Sequence, residues 1–535
     1  MITEPRDLDP ASWEPIELAP ALLERLAAIR AEALEVLESG DPVYGVNTGM
    51  GNLSKRRLTL EEQARHQHNL LRGRAVGGPP WLPPDEARAV LIGRLRTFLT
   101  GDAAVSVALI NQLVALINSN YVPAIPLEGA GSAGEIIPLA HATSPLIGLG
   151  WVYELPRPTA RGGAAGVASA GAAGGGEGVV PAGHAEGSAP GWGAEGSASG
   201  GVGAGASRPG GGQVATEGVG GTWGPVLRSA RGVLPGFELG AKEGIALLAG
   251  VPGAAGRAGL GVARGRRLVD RLTAVAAGAI AVVGANRDPY HVAAGRGDDV
   301  LAAELARLRE WAGPEREPRS LQAPVSFRVA GHVIAHVRRT LEQLDDAVER
   351  AFEGVTDSPA YLDGEYVGTA GFHGLDLTAY CDHLTVALAH AAEVSTARLH
   401  RLLDPTVTGL PAQLARDPGP QAGLVAVHKR AVAITHQLRR LTLPTAISMT
   451  ETSNGQEDVQ TFSWEAVGNL GEAIRLTRAA TACELLAVRQ AFALSNRPVP
   501  PALQPLIQAV DDVVPPIDAD RPFGEDLTRL LTEVI

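Results

Sequence analysis

An all-α bundle of long helices is the fold class this sequence predicts, on three observations. Apolar residues recur at i, i+3, i+4 and i+7 over several long stretches. Strand signals are few and short, and hydrophobic residues make up 45% of the 535 positions, enough for a large core. Apolar stripes of that kind must bury against one another, which is what a bundle achieves.

The stretches follow in order: "ALLERLAAIRAEALEVLES" (21–39), "DEARAVLIGRLRTFL" (85–99), "SVALINQLVALINSN" (106–120), "AGHVIAHVRRTLEQLDDAVERAFE" (330–353) and "LGEAIRLTRAATACELLAVRQAFAL" (470–494). One region breaks the pattern. From about 161 to 221 the chain is rich in Gly, Ala and Ser and nearly free of Leu and Ile, so it cannot bury enough apolar surface to offset its chain entropy, and a disordered insertion is expected. The resulting division is an N-terminal helical domain (1–155), a low-complexity insertion (156–230), a central helical bundle (231–500) and a C-terminal helical tail (501–535).

A formal net charge of −12 with no basic stripe argues against nucleic acid and leaves small molecules as the expected partners. No stretch reaches the roughly 18 uninterrupted apolar residues of a membrane span. The N-terminus lacks a basic segment followed by an apolar one, so a cytoplasmic protein without membrane association is expected. Two cysteines, Cys381 and Cys483, lie far apart without His or Cys clustering, which removes a disulfide framework and a metal site.

Five places could carry chemistry. "DPVYGVNTGMGNLS" puts Tyr44 in a Gly- and Asn-rich loop, where a phenol can reach into a cleft. "SLQAPVSFRVAGH" delivers Arg328 after a Pro-containing turn, suited to a bidentate grip on a carboxylate or to a surface ion pair. "ETSNGQEDVQ" sets Gln456, Glu457 and Asp458 before a helix, where capping is the plain alternative. "GTAGFHGLD" has His373 between glycines. "GLVAVHKRAVAITHQL" carries Lys429 in an apolar helical register, where a buried ammonium would need a partner.

Singly these are weak signals; their order is not. "VYGVNTGMG", "HNLLRGRAVG", "GAGSAGEIIPLAH", "KEGIALLAG", "QAPVSFRVAGH", "GTAGFHG", "LPAQL" and "NGQEDVQ" together resemble the histidine and phenylalanine ammonia-lyase family across almost the whole chain. The resemblance implies a long helical bundle of the histidase/aspartase-fumarase type, a homotetramer with sites assembled from several subunits, and removal of an α-amine and a β-proton to give an α,β-unsaturated acid.

In that family an Ala-Ser-Gly tripeptide cyclises and dehydrates to a methylidene-imidazolone, the electrophile that activates the amine. Here the corresponding residues are Ser132, Ala133 and Gly134, so the central hydroxyl is missing. A register shifted by one, Gly131-Ser132-Ala133, restores a central serine but asks a more hindered nitrogen to close the ring. No imidazolone and no other cofactor is therefore expected. The groups serving that electrophile have changed too: Val325, Ala323, Ala249 and Arg74 stand where the family has Tyr, Asp, Asn and His. Retained by resemblance are Tyr44 as candidate base, the substrate-holding Gln322, Arg328 and Phe372, and Glu457, which meets the imidazole in histidine-specific members. Arg74 joins the substrate-binding set, and Lys429 is a candidate partner for a thione sulfur beside Glu457. A substrate bearing its own good leaving group fits this selective loss, because proton abstraction and orientation then suffice. Three readings follow: an ergothionase-like lyase acting on a trimethylammonium betaine of histidine such as ergothioneine, an ordinary histidine or aromatic ammonia-lyase, and a non-catalytic homologue kept for binding or assembly.

Overall fold

The computed structural model describes residues 1–156, 226–314, 318–447 and 450–535. The Gly/Ala/Ser-rich stretch from about 161 to 221 lies outside the described residues.

The helices are α1 (Pro20–Glu38), α2 (Leu60–Arg72), α3 (Pro84–Phe98), α4 (Val107–Ile117), α5 (Ile136–Thr143), α6 (Glu243–Ala246), α7 (Pro252–Val283) and α8 (Asp299–Trp311). They continue as α9 (Val325–Arg328), α10 (Ala330–Glu353), α11 (Leu375–Leu402), α12 (Pro405–Thr408), α13 (Val425–Leu438), α14 (Ser463–Leu494), α15 (Gln504–Val513) and α16 (Phe523–Glu533). All five stretches with helical spacing are helices, and α14 begins seven residues before its stretch because Trp464 and Val467 extend the buried stripe.

Two hydrophobic cores organise the chain. One joins α7, α10, α11 and α14 with α8, α13 and the C-terminal α15 and α16. The other gathers α1 to α5 with Ile245–Leu248 and Trp464. They meet where α3 lies against α7, and small residues make that approach possible. A Cβ on Gly256 would overlap the Ala89 carbonyl oxygen, and one on Gly93 would overlap that of Pro252. Helix α7, 32 residues long, spans about 48 Å at 1.5 Å per residue and carries the bundle's length.

Strands are short. β1 (Tyr121–Pro123), β2 (Trp151–Glu154) and β3 (Val226–Ser229) form an antiparallel sheet in the order β1-β2-β3, and β4 (Ala360–Leu362) pairs with β5 (Glu365–Val367). In the first sheet Glu154 faces Val226. Residues 226–229, assigned by composition to the insertion, are thus a paired strand: four consecutive residues gain a ladder to Trp151–Glu154. Cys381 and Cys483 are free, buried thiols on α11 and α14. Among the described residues no helix is long and apolar enough to cross a membrane.

Candidate active site

Tyr44 sits in the loop between α1 and α2, a segment tied to itself. The Val43 amide donates to Asn47 Oδ1 at 2.8 Å, and Asn47 Nδ2 donates to the Asp41 carbonyl at 2.7 Å. Buried Val43 and Val46 anchor the loop. The half-buried phenol is left facing the next turn, where its oxygen accepts the Gly51 N–H at 2.8 Å.

The tripeptide follows β1 and immediately precedes a locked carboxylate. Glu135, fully buried, accepts the first free amides of α7: Gly253 at 2.7 Å and Ala254 at 2.6 Å. That is where a long helix concentrates positive partial charge. Burial nevertheless dominates and pushes the Glu135 carboxyl up to about 7. Gly134 adopts φ +78°, and a Cβ there would lie 3.0 Å from the Gly250 carbonyl oxygen and 3.7 Å from Phe372 Cβ, so Phe372 stands beside the tripeptide. Ser132 Oγ donates to the Gly134 carbonyl at 3.3 Å, and the Ala133 amide donates to Glu457 Oε2 at 2.9 Å.

Glu457 is presented by a strained loop. Ser453, Asn454 and Gly455 have φ of 56°, 54° and 79°, and left-handed non-glycine residues cost on the order of 1–3 kcal/mol each unless their surroundings impose them. Backbone bonds between Thr452 and Glu457 close the loop, while Thr452 Oγ1 and Ser453 Oγ each donate to the Glu457 carboxylate at 3.0 Å. Three of its roughly four acceptor positions are filled within the chain. Glu457 does not cap the following helix: α14 starts at Ser463 with no side-chain cap.

Arg74 completes the cluster. It lies just past the C-terminal end of α2, whose carbonyls favour a cation, and its guanidinium donates to the Leu70 carbonyl at 3.4 Å and to Met50 Sδ at 3.7 Å. Burial lowers its pKa from the ordinary value, opposed by the nearby Tyr44 and Glu457. The turn it stands on is clamped by His141 of "PLAH", whose Nε2 accepts the Gly77 N–H at 3.0 Å. His66, on α2, is the residue that sequence reasoning missed. Burial, then the Arg74 guanidinium, lowers its pKa, and its Nε2 is sealed from solvent without a hydrogen-bond partner. No spacing signal marks it.

Tyr44, Arg74, Ser132, Ala133, Gly134, Phe372 and Glu457 therefore come together, while three predicted residues stay apart. Arg328 ends α9 and donates back to the Ala323 carbonyl at 3.0 Å, and Gln322 is exposed. Lys429 is a correction. Its ammonium is exposed, because α13 buries Val427, Ala431, Ile434 and Leu438 and turns position 429 to the opposite side. Among the described residues none of these three bonds or pairs with the Tyr44–Glu457 cluster. His373 is half-buried, and its carbonyl accepts from Thr461 Oγ1. No group of three or more His, Cys, Asp or Glu among the described residues could hold a metal.

A phenol oxygen, a guanidinium and a carboxylate around one backbone turn can take a proton, hold an anion and orient a ring N–H. The sequence profile of the aromatic amino acid lyases matches residues 9–177 and 212–513. The protein belongs to that family. Membership makes it an enzyme of the carbon–nitrogen lyase class. It is similar to the histidine ammonia-lyase of Deinococcus radiodurans, 27% identical with 98% of this chain and 90% of that one covered. It is also 25% identical to a probable histidine ammonia-lyase of Thermoplasma volcanium, covering 97% and 93%. Among solved structures the lyase shares its fold with ergothionase from Treponema denticola in complex with desmethyl-ergothioneine sulfonic acid, at TM-score 0.80 and 18% identity over 99% and 97% of the two chains. Histidine ammonia-lyase from Trypanosoma cruzi gives TM-score 0.79 at 20% identity, covering 99% and 91%.

Proposed function

We propose that this lyase releases trimethylamine from a histidine-derived trimethylammonium betaine such as ergothioneine, without a methylidene-imidazolone. Ala133 carries the reading. An alanine has no hydroxyl to eliminate, so these residues do not fit that group. The Ala133 amide instead serves as an ordinary donor to Glu457. In the proposed reaction Tyr44, as its phenolate, takes the β-proton on Oη, the oxygen that also accepts the Gly51 N–H, and becomes the neutral phenol. The C–H electron pair becomes the Cα=Cβ bond, and the Cα–N pair departs with nitrogen as neutral trimethylamine. No electrophile is needed for that leaving group. Glu457 has one acceptor position left for a ring N–H.

Arg328 and Gln322 then enter from another copy of the chain in a homotetramer, where Arg328 holds the substrate carboxylate. Leu321 and Val325 beside them are 85% and 58% exposed, apolar surface of the kind a neighbouring copy covers. Lys429 belongs to the site only by the same route. A cytoplasmic location accords with this small-molecule chemistry.

A second reading, histidine ammonia-lyase giving urocanate, is favoured by the curated relatives and by Glu457. Incubating pure protein with ergothioneine, histidine, phenylalanine and tyrosine, while following product absorbance and released amine, separates the two. Trimethylamine from ergothioneine together with an intact mass equal to the sequence mass is expected. A deficit of two waters in the Ser132–Gly134 peptide with ammonia released from histidine would establish the second reading. No product from any substrate would make the chain a binding or assembly homologue.

A further inference from the structure

Arg74 is a half-buried cation with poor compensation. Among the described residues it makes no ion pair, and its two donors reach only a helix carbonyl at 3.4 Å and a thioether at 3.7 Å. Tyr44 and Glu457 lie near enough to favour its charge, yet neither bonds to it. His66 beside it offers no countercharge, and its own Nε2 is sealed and unpartnered. Cations withdrawn from water are ordinarily paired or hydrogen-bonded, so the arrangement calls for an electron-rich acceptor from a ligand. The sulfur of Met50 already lies against the guanidinium, so the position tolerates a large, soft acceptor.

The geometry points to the ligand atom: we propose that Arg74, rather than Lys429, receives the negatively polarised C2 sulfur of a thiolated imidazole and so sets the enzyme's preference for that ring. This rests on the betaine-lyase reading above. In an imidazole C2 lies between the two nitrogens, so a carboxylate accepting from a ring N–H stands next to whatever binds the C2 substituent. Arg74 touches Met50, whose neighbour Gly51 lies beside Ser453, the donor to Glu457, whereas within the chain Lys429 is exposed on α13. Arginine suits the task, since its guanidinium is more weakly hydrated than an ammonium and presents several donors.

The test compares ergothioneine with the unthiolated trimethyl betaine of histidine, in wild type, Arg74→Met, Arg74→Lys and Lys429→Met. Trimethylamine release gives kcat/KM for each substrate, and calorimetry gives Kd for each. A hydrogen bond to a charged group contributes about 1.5–3 kcal/mol, so Arg74→Met should lower the thiolated-to-unthiolated ratio of kcat/KM about 10- to 100-fold. Arg74→Lys should restore part of the ratio, and Lys429→Met should leave the ratio as in wild type. A ratio unchanged in Arg74→Met, or one lost in Lys429→Met instead, overturns the assignment. If wild type releases amine from neither betaine, the lyase reading fails on its own. The Kd ratio then decides Arg74 separately: a wild-type preference for the thiolated ring that Arg74→Met abolishes supports it, and equal affinities sink it.

Discussion

Glu457→Gln separates the loop-tying bonds of this carboxylate from the ring-orienting task proposed for it. Within the chain Glu457 accepts from Ala133 N and Thr452 Oγ1 on Oε2 and from Ser453 Oγ on Oε1. A glutamine with its oxygen in the Oε2 position keeps the first two bonds. Its NH2 in the Oε1 position meets a serine hydroxyl that can rotate to accept. All three contacts survive, each reduced from a charge-assisted bond of about 1.5–3 kcal/mol to a neutral one of about 1 kcal/mol. Part of that difference is already screened, because the carboxylate is half-exposed. The loss should therefore be on the order of 1–2 kcal/mol, a shift in Tm of only a few degrees. Activity should behave differently. A carboxylate orienting a ring N–H in the transition state is replaced there by an amide donor, and loss of one such electrostatic contact costs about 100-fold in turnover. Glu457→Ala, in contrast, strips the Ala133 amide of its partner and should lower both Tm and activity. Amine release, differential scanning calorimetry and amide exchange at Ala133 read the three effects separately. Wild-type kcat/KM in Glu457→Gln would reduce the residue to a tie between loops, and a fall of more than about 10 °C in Tm would refute the hydroxyl rotation.

Tyr44→Phe should abolish amine release while changing Kd for the betaine less than about 3-fold, since only a transition-state group is lost; calorimetry beside a single-turnover assay checks it, and residual turnover above 10% removes Tyr44 as base. Glu135 predicts a pH dependence of stability. Burial holds its folded pKa at about 7, above the ordinary 4.5 of a glutamate, so its contribution is complete below about pH 4.5 and is lost as pH rises through 7. Glu135→Gln should flatten that limb of the Tm–pH curve, and parallel curves would clear Glu135 of it. Gly256→Val should destabilise by about 3 kcal/mol or prevent folding, because the new Cβ meets the Ala89 carbonyl. Gly261→Ala, with its nearest contact 3.4 Å away at Leu470, should be neutral or gain up to about 1 kcal/mol in chemical denaturation. Because Glu154 pairs with Val226, replacing residues 157–225 by Gly-Asn leaves a four-residue hairpin loop, a common length. The variant should stay soluble with its Tm within a few degrees, and insolubility would assign the replaced residues a structural task.

What could be read from the sequence depended on large apolar residues at helical spacing. α1, α3, α4, α10 and α14 are marked by Leu, Ile and Val recurring in that way. The central helix α7 is buried to the same degree as α3 and α14, with 25 of its 32 residues inside, but many of those are Gly or Ala, which mark a buried face only weakly. Its Gly256 acquires meaning only beside α3, where it and Gly93 of α3 each admit a neighbouring backbone. The same distinction divides the site. Tyr44, Glu457 and the tripeptide were legible because short motifs carry them on loops, and the loops converge within one chain. Lys429 could not be placed from sequence because its exposure depends on rotation about α13, which single residues in an apolar run do not fix: within the chain the buried positions 427, 431, 434 and 438 leave 429 facing outward. Arg74 could be named from its place in "NLLRGR", but its lack of an ion pair and the sealed nitrogen of His66 beside it are tertiary facts. Under the proposed assignment, a cation without an ion pair beside a candidate base and a candidate ring acceptor meets a ring with a negatively polarised sulfur, and the arrangement arises where α2's end, the Tyr44 loop and the 452–457 loop meet.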